Sequence, residues 1–165
     1  MTLLISEIGA VVFTVIIGFI AHSAYERSGY NKLLGYFVPV RESVFEHLKL
    51  IFYPALFYGA VQFFTVAADY PNFLTAKVFG ITAALLSFIV LYYAYTAIAG
   101  KNILAIDILM FIIASILVSV FTSVFLKTQK ANNTAAILIL IVLITLFTIF
   151  TYHPPKFVLF EAPQE

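Results

Sequence analysis

The sequence predicts an all-α fold, an integral membrane bundle of five transmembrane helices. Hydrophobic residues make up 63% of the 165-residue chain and charged residues 10%, whereas soluble domains carry about 25% charged residues. A water-soluble fold of this length could not bury so much apolar surface in one core. Five stretches are long and apolar enough to cross roughly 30 Å of hydrocarbon, where a segment must be helical to satisfy its own backbone hydrogen bonds.

The five predicted helices follow one another through connectors and form a single membrane domain over residues 1–165. They cover about residues 3–25, 48–68, 76–99, 103–126 and 135–152. We expect the first to be a retained span and not a cleaved signal peptide, because no Lys or Arg precedes it and Glu7 interrupts it early. Asn132 is a capping residue type for the fifth helix, and Pro154 with Pro155 prevents that helix from continuing.

The connector between helices 1 and 2 is the long one, running from about residue 26 to residue 49. Its middle, residues 30–39, is apolar and aromatic but too short to cross the membrane. We therefore expect an interfacial or re-entrant segment between helices 1 and 2, lying as a lid over the polar residues that flank it.

The positively charged residues predict an orientation. Five spans place six Lys or Arg residues on the side of the first connector and the C-terminus, and three on the other side. The larger set is Arg27, Lys32, Arg41, Lys49, Lys101 and Lys156, and the smaller set is Lys77, Lys127 and Lys130. The positive-inside rule then predicts a multi-pass protein of the plasma (inner) membrane, with its N-terminus outside and its C-terminus cytoplasmic.

The same parity gathers most titratable groups at one leaflet. The end of helix 1, the start of helix 2, the end of helix 3, the start of helix 4 and the end of helix 5 share that leaflet. It receives His22, Glu26, Glu42, Glu46, His47, Asp107 and His153. Ionisable groups at membrane depth normally face the bundle interior or a water-filled cavity. A one-sided polar vestibule is therefore expected.

Two pairs at helical spacing in this set suggest a metal site. His22 and Glu26 lie four residues apart, as do Glu42 and Glu46, and His47 follows directly. Carboxylates and imidazoles on two helices are a common way to build metal sites in bundles, and they suit zinc, iron or manganese. The ligand or metal candidates are His22, Glu26, Glu42, Glu46 and His47, with Asp107 and His153 as secondary candidates. We predict that His22, Glu26, Glu46 and His47 converge on one cavity, where they could alternatively relay protons.

Structural explanations compete with these roles. Ser43 and Glu46 have the S-x-x-E spacing of a capping box directly before an apolar run. His22 with Glu26 would equally form a local hydrogen bond along one helix face. The secondary candidates lie near helix ends, where an interaction with the helix dipole would explain them.

The segment from Glu42 to Lys49, which reads E-S-V-F-E-H-L-K, resembles the signature of a family of small uncharacterised prokaryotic multi-pass membrane proteins. That signature is E-S-V-[WF]-E-H-x-K, with tryptophan the expected residue where Phe45 stands. The residues His22, Tyr25 and Glu26 and the tail from Pro154 to Phe160 are also similar to this family. The resemblance implies a fold and a membrane location, and no reaction.

The sequence favours a small membrane protein whose vestibule binds a metal ion or small polar ligand, for transport or proton transfer. One alternative is a metal-dependent enzyme acting on a lipid or isoprenoid headgroup, with Glu26 or Glu46 as general base. Another is a non-catalytic subunit of a homo-oligomer or a larger membrane complex. The chain has no cysteine and a net charge of +1, which excludes thiolate chemistry and gives no support to nucleic-acid binding.

Overall fold

The predicted all-α bundle is confirmed by the computed structural model, which describes residues 3–162 and has no strand within them. Five helical segments of that range are long and apolar enough to cross a membrane: Leu3–His22, Val44–Thr65, Phe73–Ala99, Leu104–Leu126 and Asn133–Tyr152. Their bounds lie within four residues of the predicted ones. The chain is therefore a multi-pass membrane protein.

The described part of the chain contains eight α-helices. They are α1 (Leu3–His22), α2 (Ala24–Arg27), α3 (Lys32–Gly35), α4 (Val44–His47), α5 (Lys49–Thr65), α6 (Phe73–Ala99), α7 (Leu104–Leu126) and α8 (Asn133–Tyr152). The single-turn helix α4 and the longer α5 together form the second span and are separated only at Leu48. The remaining four spans are each one helix. Two 3₁₀ turns, Ala67–Asp69 and Val158–Phe160, follow α5 and α8.

Local chemistry sets the helix ends. The Asn132 side chain accepts a hydrogen bond from the backbone N–H of Ala135 (3.0 Å) and starts α8, as its residue type predicts. Gly100 ends α6 with φ of 73°, a left-handed conformation that glycine adopts without steric cost. Ser43 lies in extended backbone immediately before α4, and its hydroxyl oxygen accepts from the N–H of Glu46.

The core lies between α5, α6 and α7, with α1 packed against α5 and α7. The helices α6 and α7 approach closely at Gly80, where a Cβ atom would collide with the Thr122 side chain and the Val118 carbonyl. Lipid tails are as apolar as these side chains, so close packing of this kind is what favours helix association in the bilayer. The fifth span is peripheral, since only 17% of its apolar window is buried within the bundle.

A buried ion pair joins α1 to α6 at the end of the bundle opposite the first connector. The Lys77 ammonium donates to both carboxylate oxygens of Glu7, at 3.0 and 3.2 Å, and both side chains are 5% exposed. Gln62 of α5 donates to the same carboxylate at 2.9 Å and to the Ser6 hydroxyl at 2.9 Å. Three helices are thereby linked through polar groups that lipid would not solvate.

The first connector packs on the side of α5 and α8. The Phe37 ring lies 5.1 Å from that of Tyr53, and the Tyr36 ring lies 5.1 Å from that of Tyr152. Buried Lys49 donates to the carbonyls of Gly35 (2.9 Å) and Val38 (3.3 Å). These bonds satisfy backbone carbonyls at the end of α3 and in the irregular segment that follows it, as burial requires.

The tail and α8 complete this side of the bundle. Arg41 donates to the Phe150 carbonyl at 2.9 Å and also to that of Thr151, at the last turn of α8. The Phe45 ring lies 5.1 Å from Phe147 and 4.6 Å from Phe160. An aromatic side chain at position 45 therefore joins α4 to both α8 and the tail.

Candidate functional site

Two histidines from different spans meet at the connector end of the bundle. His22 is the last residue of α1 and His47 is the last residue of α4. Their Nε2 atoms are 3.2 Å apart, and their ring centroids are 5.2 Å apart. The predicted convergence of these two residues is therefore confirmed.

The orientation of His47 is fixed by the backbone of its own turn. Its Nδ1 lies 2.8 Å from the Ser43 carbonyl. A carbonyl oxygen only accepts, so Nδ1 must carry the hydrogen and donate it. Nε2 then carries a lone pair in the neutral ring and a hydrogen in the protonated ring, and it lies 3.2 Å from both His22 and Glu42. A hydrogen bond of this kind from the second ring nitrogen is the usual way a ligating imidazole is oriented.

Glu42 supplies a carboxylate to the same point. Its Oε2 lies 3.2 Å from Nε2 of His47, and the ligand atoms of His22, Glu42 and His47 all lie within 4.8 Å of one another. The hydrogen bond with His47 lowers the pKa of the Glu42 carboxyl, with a smaller contribution from the charges of His47 and His22, although partial burial opposes both. Glu42 is thus anionic at neutral pH.

The three residues border a cavity of about 330 Å³ between α1, α4, α5, α6 and α7. Its polar end also contains Asn102, Tyr92 and Asp107, and its apolar walls include Phe19, Leu50, Phe88, Ile108 and Phe111. Gly18 lies in the wall, where a Cβ would collide with the Phe111 ring and approach the Leu50 carbonyl to 3.0 Å. Pro54 has no N–H to donate to that carbonyl, and the absence of a side chain at Gly18 lets α1 pack closely against it.

Asp107 is held by two neighbours. It accepts hydrogen bonds from the Tyr95 hydroxyl and from the Asn102 side chain, the latter at 3.4 Å. The Tyr95 hydroxyl also accepts from the backbone N–H of Ile103 (3.2 Å). These bonds fix the Asp107 carboxylate in the cavity wall, in addition to that of Glu42. Asp107, a secondary candidate, therefore borders the same cavity as the histidines.

The predicted convergence of Glu46 on the cavity was wrong. Its side chain is completely buried and does not line the cavity. It accepts from the Lys49 ammonium at 2.8 Å and the Val40 N–H at 3.0 Å, and it lies 3.6 Å from the Arg41 guanidinium. The capping box is half formed: Ser43 caps Glu46 at 3.4 Å, but the Glu46 carboxylate binds these cations and not the Ser43 N–H.

The predicted convergence of Glu26 on the cavity was also wrong. The helical run breaks at Ser23, so His22 belongs to α1 and Glu26 to the short α2. The four-residue spacing therefore does not put them on one continuous helix face. Glu26 is exposed and does not border the cavity.

Two further expectations are corrected. His153 follows α8, is exposed, and lies outside the cavity; its N–H donates to the Ile149 carbonyl and closes the last turn. The lid is wrong as well, because none of residues 30–39 lines the cavity. Those residues contact α5 and α8, since their carbonyls need the Lys49 ammonium and their aromatic rings find partners there.

Sequence reasoning missed the support that helix α6 gives to the site. Tyrosines near the end of a span are ordinarily interpreted as interfacial anchors, yet Tyr92 lines the cavity and Tyr95 binds Asp107. A usable signal was present. Tyr92 and Tyr95 are three residues apart on one helix face, and a short turn connects that helix to the one carrying Asp107.

Comparison with known proteins places the chain in a family without assigning a reaction. The family described as "Family of unknown function (DUF6512)" matches residues 4–164. No curated protein matches, and no solved structure matches.

Proposed function

Because the chain belongs to the DUF6512 family, whose function is unknown, we propose its function from the site: His22, Glu42 and His47 bind a divalent transition-metal ion. The observation that carries this proposal is the 3.2 Å separation of the two Nε2 atoms. Two nitrogen ligands at about 2.05 Å from a tetrahedral zinc ion are about 3.3 Å apart. The distance from Nε2 of His47 to the Glu42 carboxylate, 3.2 Å, fits the same ion.

The donor set fits both zinc and non-haem iron(II). Two imidazoles and one carboxylate are the ligands of catalytic zinc sites, which leave a fourth position for water or substrate, and the same set with open positions holds iron(II). Zinc is the simplest occupant because the 3.2 Å separation of the two Nε2 atoms matches tetrahedral coordination. In this site Asp107 is the further carboxylate of the cavity, and it is already engaged by Tyr95 and Asn102.

The fourth coordination position of the metal supports a role in chemistry on a membrane-soluble molecule. This position would face a cavity whose walls are mostly apolar, which suits a lipid or isoprenoid headgroup better than an ion in transit. A metal polarises a bound oxygen and lowers the pKa of bound water. Asp107 is the carboxylate that remains to accept a proton, in place of Glu26 and Glu46.

Proton transfer is the competing function, and the histidine pair is what favours it. A 3.2 Å N–N separation also fits a hydrogen bond in which one imidazole donates to the other. Such a proton relay between His22 and His47 would need no metal. A structural role within a larger membrane complex would not need one either. Metal analysis separates these functions from the proposal.

The experiment is metal analysis of the purified protein in detergent, with cobalt substitution read by visible absorption. Wild type should bind one equivalent of metal, and His47→Ala and Glu42→Gln should each lose it. His153→Ala is the matched control, because this exposed histidine lies outside the cavity, and it should bind like wild type. Wild-type protein that takes up no zinc or cobalt, or His47→Ala protein that retains both, would overturn the proposal.

We also propose that the site faces the cytoplasm of a cell whose plasma membrane holds the chain. Lys49 and Lys77 are buried within the bundle and do not contact the membrane surface. Removing them leaves five Lys or Arg residues on the connector side against two on the other, so the bias is kept. A reporter fused after Glu165 should be active only in the cytoplasm; activity confined to the outside would reverse the orientation.

A further inference from the structure

We infer that the cavity beside the histidines receives the chain of an uncharged amphiphile whose hydroxyl headgroup lies between Glu42 and Asp107. This inference rests on the proposed function for the metal that binds the hydroxyl. The binding of the hydrocarbon chain is argued from the cavity alone. Fatty alcohols and isoprenoid alcohols are the chemical class. The inference uses the separation of polar and apolar walls, the charges, and the side on which the cavity opens.

The walls are separated by polarity. The side chains of His22, His47 and Asp107 gather at one end, whereas Phe19, Phe88 and Phe111 form the rest of the wall. A mostly apolar cavity with a few convergent polar groups is the usual form of a small-molecule site, and about 330 Å³ is at the lower end of the range of such sites. A single chain with one small polar head matches this division.

The charges favour a neutral head. Two carboxylates, Glu42 and Asp107, border the cavity, and none of its lining residues is Lys or Arg. A divalent ion balances those two charges, so an anionic head would leave one uncompensated negative charge in a medium of low dielectric. A hydroxyl can ligate the metal through oxygen and donate its hydrogen to a carboxylate, which only accepts.

The exposed residues of the cavity wall indicate where the hydrocarbon chain of the amphiphile enters. Leu104 is 73% exposed, Phe19 48% and Ile108 37%, and all three line the cavity from α1 and α7. Apolar side chains exposed on a transmembrane bundle face the hydrocarbon. The cavity therefore opens toward the bilayer between these two helices, and an amphiphile reaches it without crossing water.

Tryptophan quenching tests the inference cleanly, because the natural chain contains no tryptophan. Phe88→Trp places one fluorophore in the wall, and Phe111→Trp is a second variant in case the first does not fold. Phe64→Trp is the matched control, since Phe64 is 86% exposed and lies outside the cavity. The probe is 10-bromodecan-1-ol, whose bromine quenches nearby tryptophan, added to zinc-treated protein in detergent.

We expect quenching of the cavity tryptophan to saturate, and quenching of the control to rise only in proportion to the probe dissolved in the micelle. The matched anion, 10-bromodecanoate, should bind at least about tenfold more weakly, because one uncompensated unit charge has that effect at about 10 Å and an effective dielectric constant of about 20, and a larger effect at the shorter distance of a head between the two carboxylates. Proportional quenching at both positions would overturn the inference, and so would equal or tighter binding of the anion. Saturable quenching by the alcohol in protein that binds no metal would keep the amphiphile site and remove the metal proposal.

Discussion

Replacing Lys77 with methionine isolates the energetics of the buried ion pair between α1 and α6. Methionine keeps the length of the side chain and removes its charge. The Glu7 carboxylate, 5% exposed, then loses two hydrogen bonds of 3.0 and 3.2 Å and keeps only the one from Gln62. Removing one partner of a buried pair costs about 3–5 kcal/mol, because the other charge stays buried without compensation.

The assay is reversible unfolding in mixed detergent micelles at pH 7. Lys127→Met is the control, because Lys127 is exposed on the same side of the bundle, and it should change stability by less than about 0.5 kcal/mol. The double variant Glu7→Gln/Lys77→Met removes both charges and should recover most of the loss. If Lys77→Met loses less than about 1 kcal/mol at pH 7, or if the double variant is as unstable as the single one, the energetic account of this pair is wrong.

Three further predictions concern the residues around the candidate site. Glu46→Gln leaves Lys49 buried without its carboxylate and should cost about 3–5 kcal/mol of unfolding free energy. Metal analysis of this variant should still find one equivalent, and loss of metal at full stability would contradict the structural role of Glu46. Ser43→Ala removes the cap of α4 and should cost about 1 kcal/mol, measured by thermal unfolding, where an unchanged midpoint would contradict the cap. Because hydrogen bonding with His47 lowers the pKa of Glu42, its carboxylate stays charged as the pH falls through the usual glutamate range near 4.3, and metal release in that range should not follow protonation of Glu42. Cobalt absorption against pH checks this, and one-proton release near pH 4 would contradict it.

The candidate site was predictable in part. His22 and His47 were expected together because both lie at ends of spans that parity assigns to one leaflet. Glu42 was among the candidates, but the prediction placed Glu46 with the two histidines. Glu42 and Glu46 are both glutamates and lie four residues apart, so the sequence alone does not distinguish them. The i,i+3 spacing of Glu46 and Lys49 is compatible with their ion pair, but it does not reveal that this pair and Arg41 keep Glu46 out of the cavity. That choice depends on the first connector, whose carbonyls draw Lys49 inward.

The sequence by itself determined the five spans, their order and the side on which the titratable residues gather. These are local or additive properties: about 20 apolar residues cross the hydrocarbon, and counting crossings assigns each end to a leaflet. Only the tertiary structure decided which acid meets the histidines, which cation neutralises Glu7, and that the first connector packs on α5 and α8. Each depends on the direction of side chains from segments distant in sequence. In a low-dielectric bundle, every buried charge must find its partner among the groups that packing brings within about 3 Å.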